Sequence, residues 1–282
     1  MKHLFNLFFG MLLVVFAHAQ DDVYYCNDEL LRRFWITGEL HNKGLDEVLG
    51  GLKATYGDQF KEEKTQEAQD KIFGVVNELG AGFTTKTLQV SGIDLLDFIR
   101  NSTFPKGKDA ALSLPGQLTS LQSDAKYSAE LLAALEALDA QMESGSELSE
   151  DNYRNLAAKQ MPLIRNYFER VYWVMAVSTA YFSLKYWGSN MVYWVNFLNG
   201  GGSATQRTHP GKEIAKADVT GVIVGGAGGA IYGAIGGTAT FPGVGTIVGA
   251  AGGGAAGAVV GGVTGSAKAA VSAFVGWVFG DR

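Results

Sequence analysis

Apolar positions in the first two hundred residues recur at helical spacing. Leu30, Leu31, Phe34 and Trp35 follow Asp28, an acid suited to a helix start, and predict a helix there. Lys61 to Leu79 and Ser123 to Glu143 have few breakers and predict two more; in the second, Leu131, Leu135 and Leu138 form one apolar stripe. Alternation from Phe83 to Val90 is weaker and fits a short strand or a loop. A longer helix is expected to start near Ser149, with Glu150 and Asp151 in its first turn, where the helix dipole favours negative charge. Pro162 lacks an amide hydrogen and should kink or restart that helix.

Beyond Pro162 the pattern turns aromatic, with Tyr167, Phe168, Tyr172, Trp173, Tyr181, Phe182, Tyr186, Trp187, Tyr193, Trp194 and Phe197. From Val171 to Leu198 the only charge is Lys185. Two readings stand side by side: the central core helix of an N-terminal domain, or a segment at a membrane interface, where Trp and Tyr satisfy both an apolar ring and a polar tip. Ser178, Thr179, Ser183, Ser189 and Asn190 dilute the stretch, which makes a lipid span the secondary reading. Gly200, Gly201 and Gly202 then break the pattern, and residues 200–217 are expected to form a flexible linker. Its basic residues Arg207, His209, Lys212 and Lys216 suit either solvated chain or lipid headgroups.

The strongest periodicity follows. Gly221, Gly225, Gly229, Gly233 and Gly237 stand four apart, and Gly245, Gly249, Gly253, Gly257, Gly261 and Gly265 repeat the spacing. Thr240-Phe241-Pro242-Gly243 between them suits a turn, so the series predict a helical hairpin with a glycine stripe on each arm. Small residues at this spacing let helix backbones approach closely, which is how helices pack in lipid. No Asp, Glu, Lys or Arg occurs in the 49 residues from Val219 to Ala267. Val219 to Ala239, at about 1.5 Å per residue, spans roughly 32 Å, close to a hydrocarbon core of about 30 Å. Eight glycines in this arm oppose helix formation in water by roughly 8 kcal/mol, which close packing or lipid must offset. The hairpin is therefore a marginal span, suited to a protein that is exported first and inserts later. Residues four apart also share one face of a strand, and Val222-Ile223-Val224 and Ile247-Val248 leave a glycine-rich sheet as the alternative. On the helical reading, Lys268 marks a membrane interface and Ala269 to Gly280, with Trp277, lies along it as an amphipathic tail.

At these residues the chain resembles glycine-zipper membrane proteins and, more loosely, the hydrophobic segments of bacteriocins. The resemblance covers about Asp218 to Gly280 and implies membrane packing and permeabilisation. It does not extend to residues 20–199.

Composition adds location and exclusions. Lys2 and His3, the apolar Leu4 to Phe16 and the small-x-small Ala17-His18-Ala19 predict a signal peptide over residues 1–19, with the mature chain starting at Gln20. Of the 282 residues, 38 are glycine, and 18 of these fall between Gly221 and Gly265. The net charge of -5 gives no phosphate-seeking field, so no nucleic-acid partner is expected. The lone Cys26 has no partner for an intrachain disulfide and is expected to be a small buried hydrophobe, with intermolecular pairing as the alternative. Asn101-Ser102-Thr103 fits a glycosylation acceptor or, more simply, a polar turn.

Candidate chemistry is sparse. After signal removal, His41, His209 and Cys26 are the remaining His and Cys residues, so no metal site is expected. No Gly-x-Ser-x-Gly elbow accompanies either histidine. The glycines at 243, 245 and 249 lack the preceding strand and following acid of a dinucleotide loop, so no cofactor is expected. Glu62-Glu63 and Glu150-Asp151 read as solvated helix ends. The sequence thus predicts a mainly α, exported, non-enzymatic protein. An acidic helical domain (20–199) and a linker (200–217) should precede a glycine-zipper hairpin with its tail (218–282). The hairpin's expected partners are membrane lipid and further copies of this chain, in a secreted or envelope-associated setting. The alternative is an anchoring protein whose N-terminal domain binds a partner.

Overall fold

The computed structural model describes residues 26–60, 66–88, 113–120, 127–144 and 148–198, and in the C-terminal third 212, 214–223, 225, 257–259, 261–269 and 271. Among these residues there is no strand, and the fold is mainly α. Residues 1–19, expected to be a signal peptide, Asn101, His209, the expected turn at residues 240–243 and Trp277 lie outside the described residues, as does the Cys26 side chain.

Helix α1 (Cys26–Phe34) begins with Asp28 and Glu29 in its first turn and breaks at Trp35 before α2 (Ile36–Tyr56). The break is stitched from outside: Ser178 Oγ donates to Trp35 O and accepts from Gly38 N (3.1 Å). Helix α2 ends at Gly57, whose φ of 82° is a left-handed value that suits glycine, and whose amide reaches Lys53 O at 2.8 Å. Helix α3 (Gln66–Leu88) packs along α2. It continues through Phe83 to Leu88, where the alternation suggested a strand or loop. Tertiary packing explains the difference: Ala81 and Thr84 are buried, Phe83 lies against the core, and Thr84 Oγ1 folds back onto Gly80 O (2.9 Å).

After the short α4 (Leu114–Ser120), α5 (Ala129–Glu143) starts at an N-cap, Ser128, whose Oγ accepts from Leu131 N at 3.1 Å. Glu169 accepts from both the Ser128 amide (2.9 Å) and the Ser128 hydroxyl, tying this cap to another helix. The expected stripe Leu131, Leu135 and Leu138 is fully buried. Helix α6 (Glu150–Gln160) starts at Ser149, tightens to a 3-10 turn (Met161–Leu163) at Pro162, and gives way to α7 (Tyr167–Leu198). The proline restarts the helix, as its missing donor requires. Asn166 Oδ1 then accepts from Phe168 N (2.9 Å) and Glu169 N (3.3 Å) to open α7.

Helix α7 is the axis of the fold, in contact with α1, α2, α5 and α6. Residues 169–181 are buried without interruption, and Trp173 Nε1 is satisfied by Ala157 O at 3.1 Å. The aromatic stretch is thus a core helix, and among the described residues no helix is long and apolar enough to cross a membrane. Two apolar clusters flank it. One joins α1, α4, α5, α6 and the first half of α7; the other joins α2, α3 and the second half of α7.

Candidate functional site

The two glycine-bearing segments are helical wherever they are described, and both enter the core. Ala215, Val219, Val222, Ile223 and Ala258 complete the first cluster, while Ile214, Val259, Val263, Ala267 and Val271 complete the second. Residues 212 and 214–217, within the stretch expected to be linker, are helical, and 214–217 are buried. The core does not divide between residues 199 and 218: Trp187, Trp194 and Phe197 share a cluster with Val259 and Val263.

Four predicted glycines come together. A Cβ at Gly221 would run into Gly261 O, one at Gly225 into Gly257 O, and one at Gly261 into Gly221 O. The segments are therefore antiparallel and meet backbone to backbone, with no room for a methyl group. Gly265 is helical and buried; Gly229, Gly233, Gly237, Gly245, Gly249 and Gly253 lie outside the described residues. Lys268 stands over the Phe73 ring of α3, 5.8 Å from its centroid. Sequence reasoning missed three more close approaches. A Cβ at Gly44 of α2 would collide with Val263, one at Gly80 of α3 would reach Thr264 Cγ2 at 2.6 Å, and one at Gly262 would meet Val222 Cγ2 at 2.8 Å and His41 Cδ2 at 3.1 Å. These positions break the four-residue series or sit alone on other helices, so spacing gave no signal for them.

Beside the glycine contact lies a polar cluster closed off from solvent. Asp218, the last charge before the uncharged run, is fully buried with His41, Ser183 and Ser266. Its Oδ2 accepts from Ser183 Oγ and from Trp187 Nε1 (3.2 Å), and stands 3.5 Å from His41 Nε2. Ser266 Oγ is 3.2 Å from the same Nε2. His41 Nδ1 faces Asn42 Oδ1 at 3.0 Å, and Asn42 Nδ2 donates to Phe182 O at 2.9 Å. Burial pushes the Asp218 carboxyl above its ordinary range, against the opposing pull of His41, Ser183, Ser266 and Trp187. The cluster thus links α2, α7 and both glycine segments. His41 has one sequence signal: it shares the buried stripe of α2 with Thr37, Gly44, Leu45 and Val48.

Serine, histidine and aspartate meet here, but not as a nucleophile relay. In a relay, acid and hydroxyl take opposite ring nitrogens, whereas Asp218 and Ser266 both face Nε2. The arrangement sets a carboxylate and an imidazole, two groups able to share one proton, side by side in the core. Closer to the surface, Lys216 reaches Asp139 Oδ1 (3.0 Å) and Glu143 Oε1 (2.6 Å) of α5, and Lys212 reaches Glu143 Oε2 (3.6 Å). Burial works against the Lys216 charge, but its acidic partners outweigh burial and raise its pKa. The Lys216 hydrogen bond leads the causes that lower that of Glu143.

No protein-family model, no curated protein and no solved structure matches this chain.

Proposed function

We propose that this is an exported, membrane-associating protein that carries its glycine hairpin sheathed by its own helices and releases it to pack in a lipid bilayer with further copies of itself, permeabilising the membrane. The observation that carries this reading is the antiparallel contact of Gly221 with Gly261 and of Gly225 with Gly257, set inside the helical core. On the numbering alone, the same offset would match Gly229 with Gly253, Gly233 with Gly249 and Gly237 with Gly245. That numerical match of the two series is one that strand alternation alone does not require. The glycines account for the sheath: roughly 1 kcal/mol of lost helix propensity at each must be offset by packing, and α2, α3 and α7 supply it until lipid and sister hairpins do.

The test uses the mature protein with dye-filled liposomes. Co-flotation with dye release is the expected result. Binding without release would favour the anchoring alternative, and no binding would refute membrane association. Gly229→Leu and Gly253→Leu should lose crosslinked oligomer in liposomes, whereas Ala230→Leu and Ala255→Leu should lose less. A β-type circular dichroism spectrum in lipid would replace the hairpin with the glycine-rich sheet.

A further inference from the structure

The His41–Asp218 contact is more than a buried polar accident, because its hydrogen-bond pattern fixes how many protons it needs. Asn42 Nδ2 is committed to Phe182 O, so Asn42 Oδ1 faces the imidazole and Nδ1 of His41 must carry a hydrogen. If the ring is neutral, Nε2 is an acceptor through its lone pair: the Ser266 hydroxyl at 3.2 Å can donate to it, but Asp218 Oδ2 at 3.5 Å then has no proton to share with it. A second proton, on Nε2 or on the carboxyl, turns the contact with Asp218 into an attraction. Without that proton the lone pair faces an ionised carboxylate in a site with no water-exposed side. Among the described residues, Asp218 Oδ1 has no hydrogen-bond partner that would spread the charge.

We propose that the His41–Asp218 pair is a proton-held latch that fastens both glycine segments to α2 and α7, and that loss of its shared proton as pH rises frees the hairpin. This rests on the membrane reading above and supplies its control. Among the described residues no other charge is placed to substitute. On α2, Asp46 bonds the Tyr186 hydroxyl (2.9 Å), and on α7 the nearby Tyr186 phenol is itself pushed up by burial. Lys185 of α7 is exposed. Lys216, on the same segment as Asp218, is held by Asp139 and Glu143 of α5. On α3, Gly80 meets the second segment at Thr264, and Lys268 of that segment lies over Phe73.

The sign follows from the proton count. In the unfolded chain the pair's proton sits on the imidazole and is released near the ordinary histidine value of about 6.5, whereas the folded pair keeps it, so the stabilisation is present up to that value and is lost as pH rises beyond it toward the folded value. Folding equilibria of the full mature chain are measured from about pH 5 to about pH 8 for the wild type, Asp218→Asn and the surface control Asp46→Asn. The expected result is that the wild-type folding constant falls more steeply than that of Asp218→Asn, by up to about tenfold per pH unit, with Asp46→Asn following the wild type. Parallel wild-type and Asp218→Asn curves would overturn the latch. Should Asp218→Asn not fold, NMR of the wild-type His41 Nε2 and Asp218 carboxyl decides: a change at either that coincides with opening as pH rises supports the proposal, and opening with no change at both overturns it. Dye release from liposomes over the same pH range should rise with pH in the wild type. If the folding curves behave as expected but no liposome is bound at any pH, the latch stands and the membrane reading fails.

Discussion

The aromatic helix α7 and the two glycine segments lie against each other and reach close packing by opposite means. Along α7 the space is filled by side chains: Trp173, Trp187 and Trp194 are essentially inaccessible, and their indole N–H groups find Ala157 O, Asp218 Oδ2 and the Tyr186 hydroxyl. Between the glycine segments the space is filled by backbone, with Gly225 against Gly257 and Gly221 against Gly261. An interface built from large side chains is weakened by taking atoms away. One built from bare backbones is weakened by adding them, since a rigid carbonyl has no rotamer with which to yield.

The comparison orders four expected effects. Trp173→Ala should be the most damaging, at about 3–5 kcal/mol in chemical denaturation, since it leaves a large cavity in the axis of the fold and removes the indole hydrogen bond to Ala157 O. Gly225→Ala should cost about 1–3 kcal/mol, even though alanine is the better helix former. If it stabilises the protein, the backbone contact is absent in solution. Gly74→Ala supplies the opposite sign: this helical glycine of α3 is exposed with nothing within 4 Å of an added Cβ, so the change should stabilise by about 1 kcal/mol. Lys216→Met should cost under about 1 kcal/mol and less at high salt, because the partner Glu143 is half exposed. A loss as large as that of Trp173→Ala would mean that charge, not packing, holds the first glycine segment.

Where a local pattern carries the answer, the sequence was readable. The Leu131, Leu135 and Leu138 stripe, the acidic start at Glu150 and Asp151, and the restart at Pro162 all depend on neighbours within one or two turns. Phe83 to Leu88 was not readable, because its weak alternation is overruled by contacts of α3 with α2 and with the second glycine segment. Nor was the shared core. The absence of charge from Val219 to Ala267 says that these residues avoid water, but a protein interior and a lipid bilayer satisfy that demand equally. Glycine spacing named Gly221, Gly225, Gly257 and Gly261. It could not name Gly44, Gly80 or Gly262, or join His41 to Asp218, because those contacts arise between helices distant in sequence.

The central claim is that the ends of the glycine run belong to the same core as the aromatic helix. Native-state amide hydrogen exchange on the full chain tests it most directly, since protection reports which segments open together. The account predicts that residues 214–223 and 261–267 exchange as slowly as residues 171–181 of α7 and become exposed in the same cooperative opening. Free exchange of the glycine segments while α7 stays protected would contradict it.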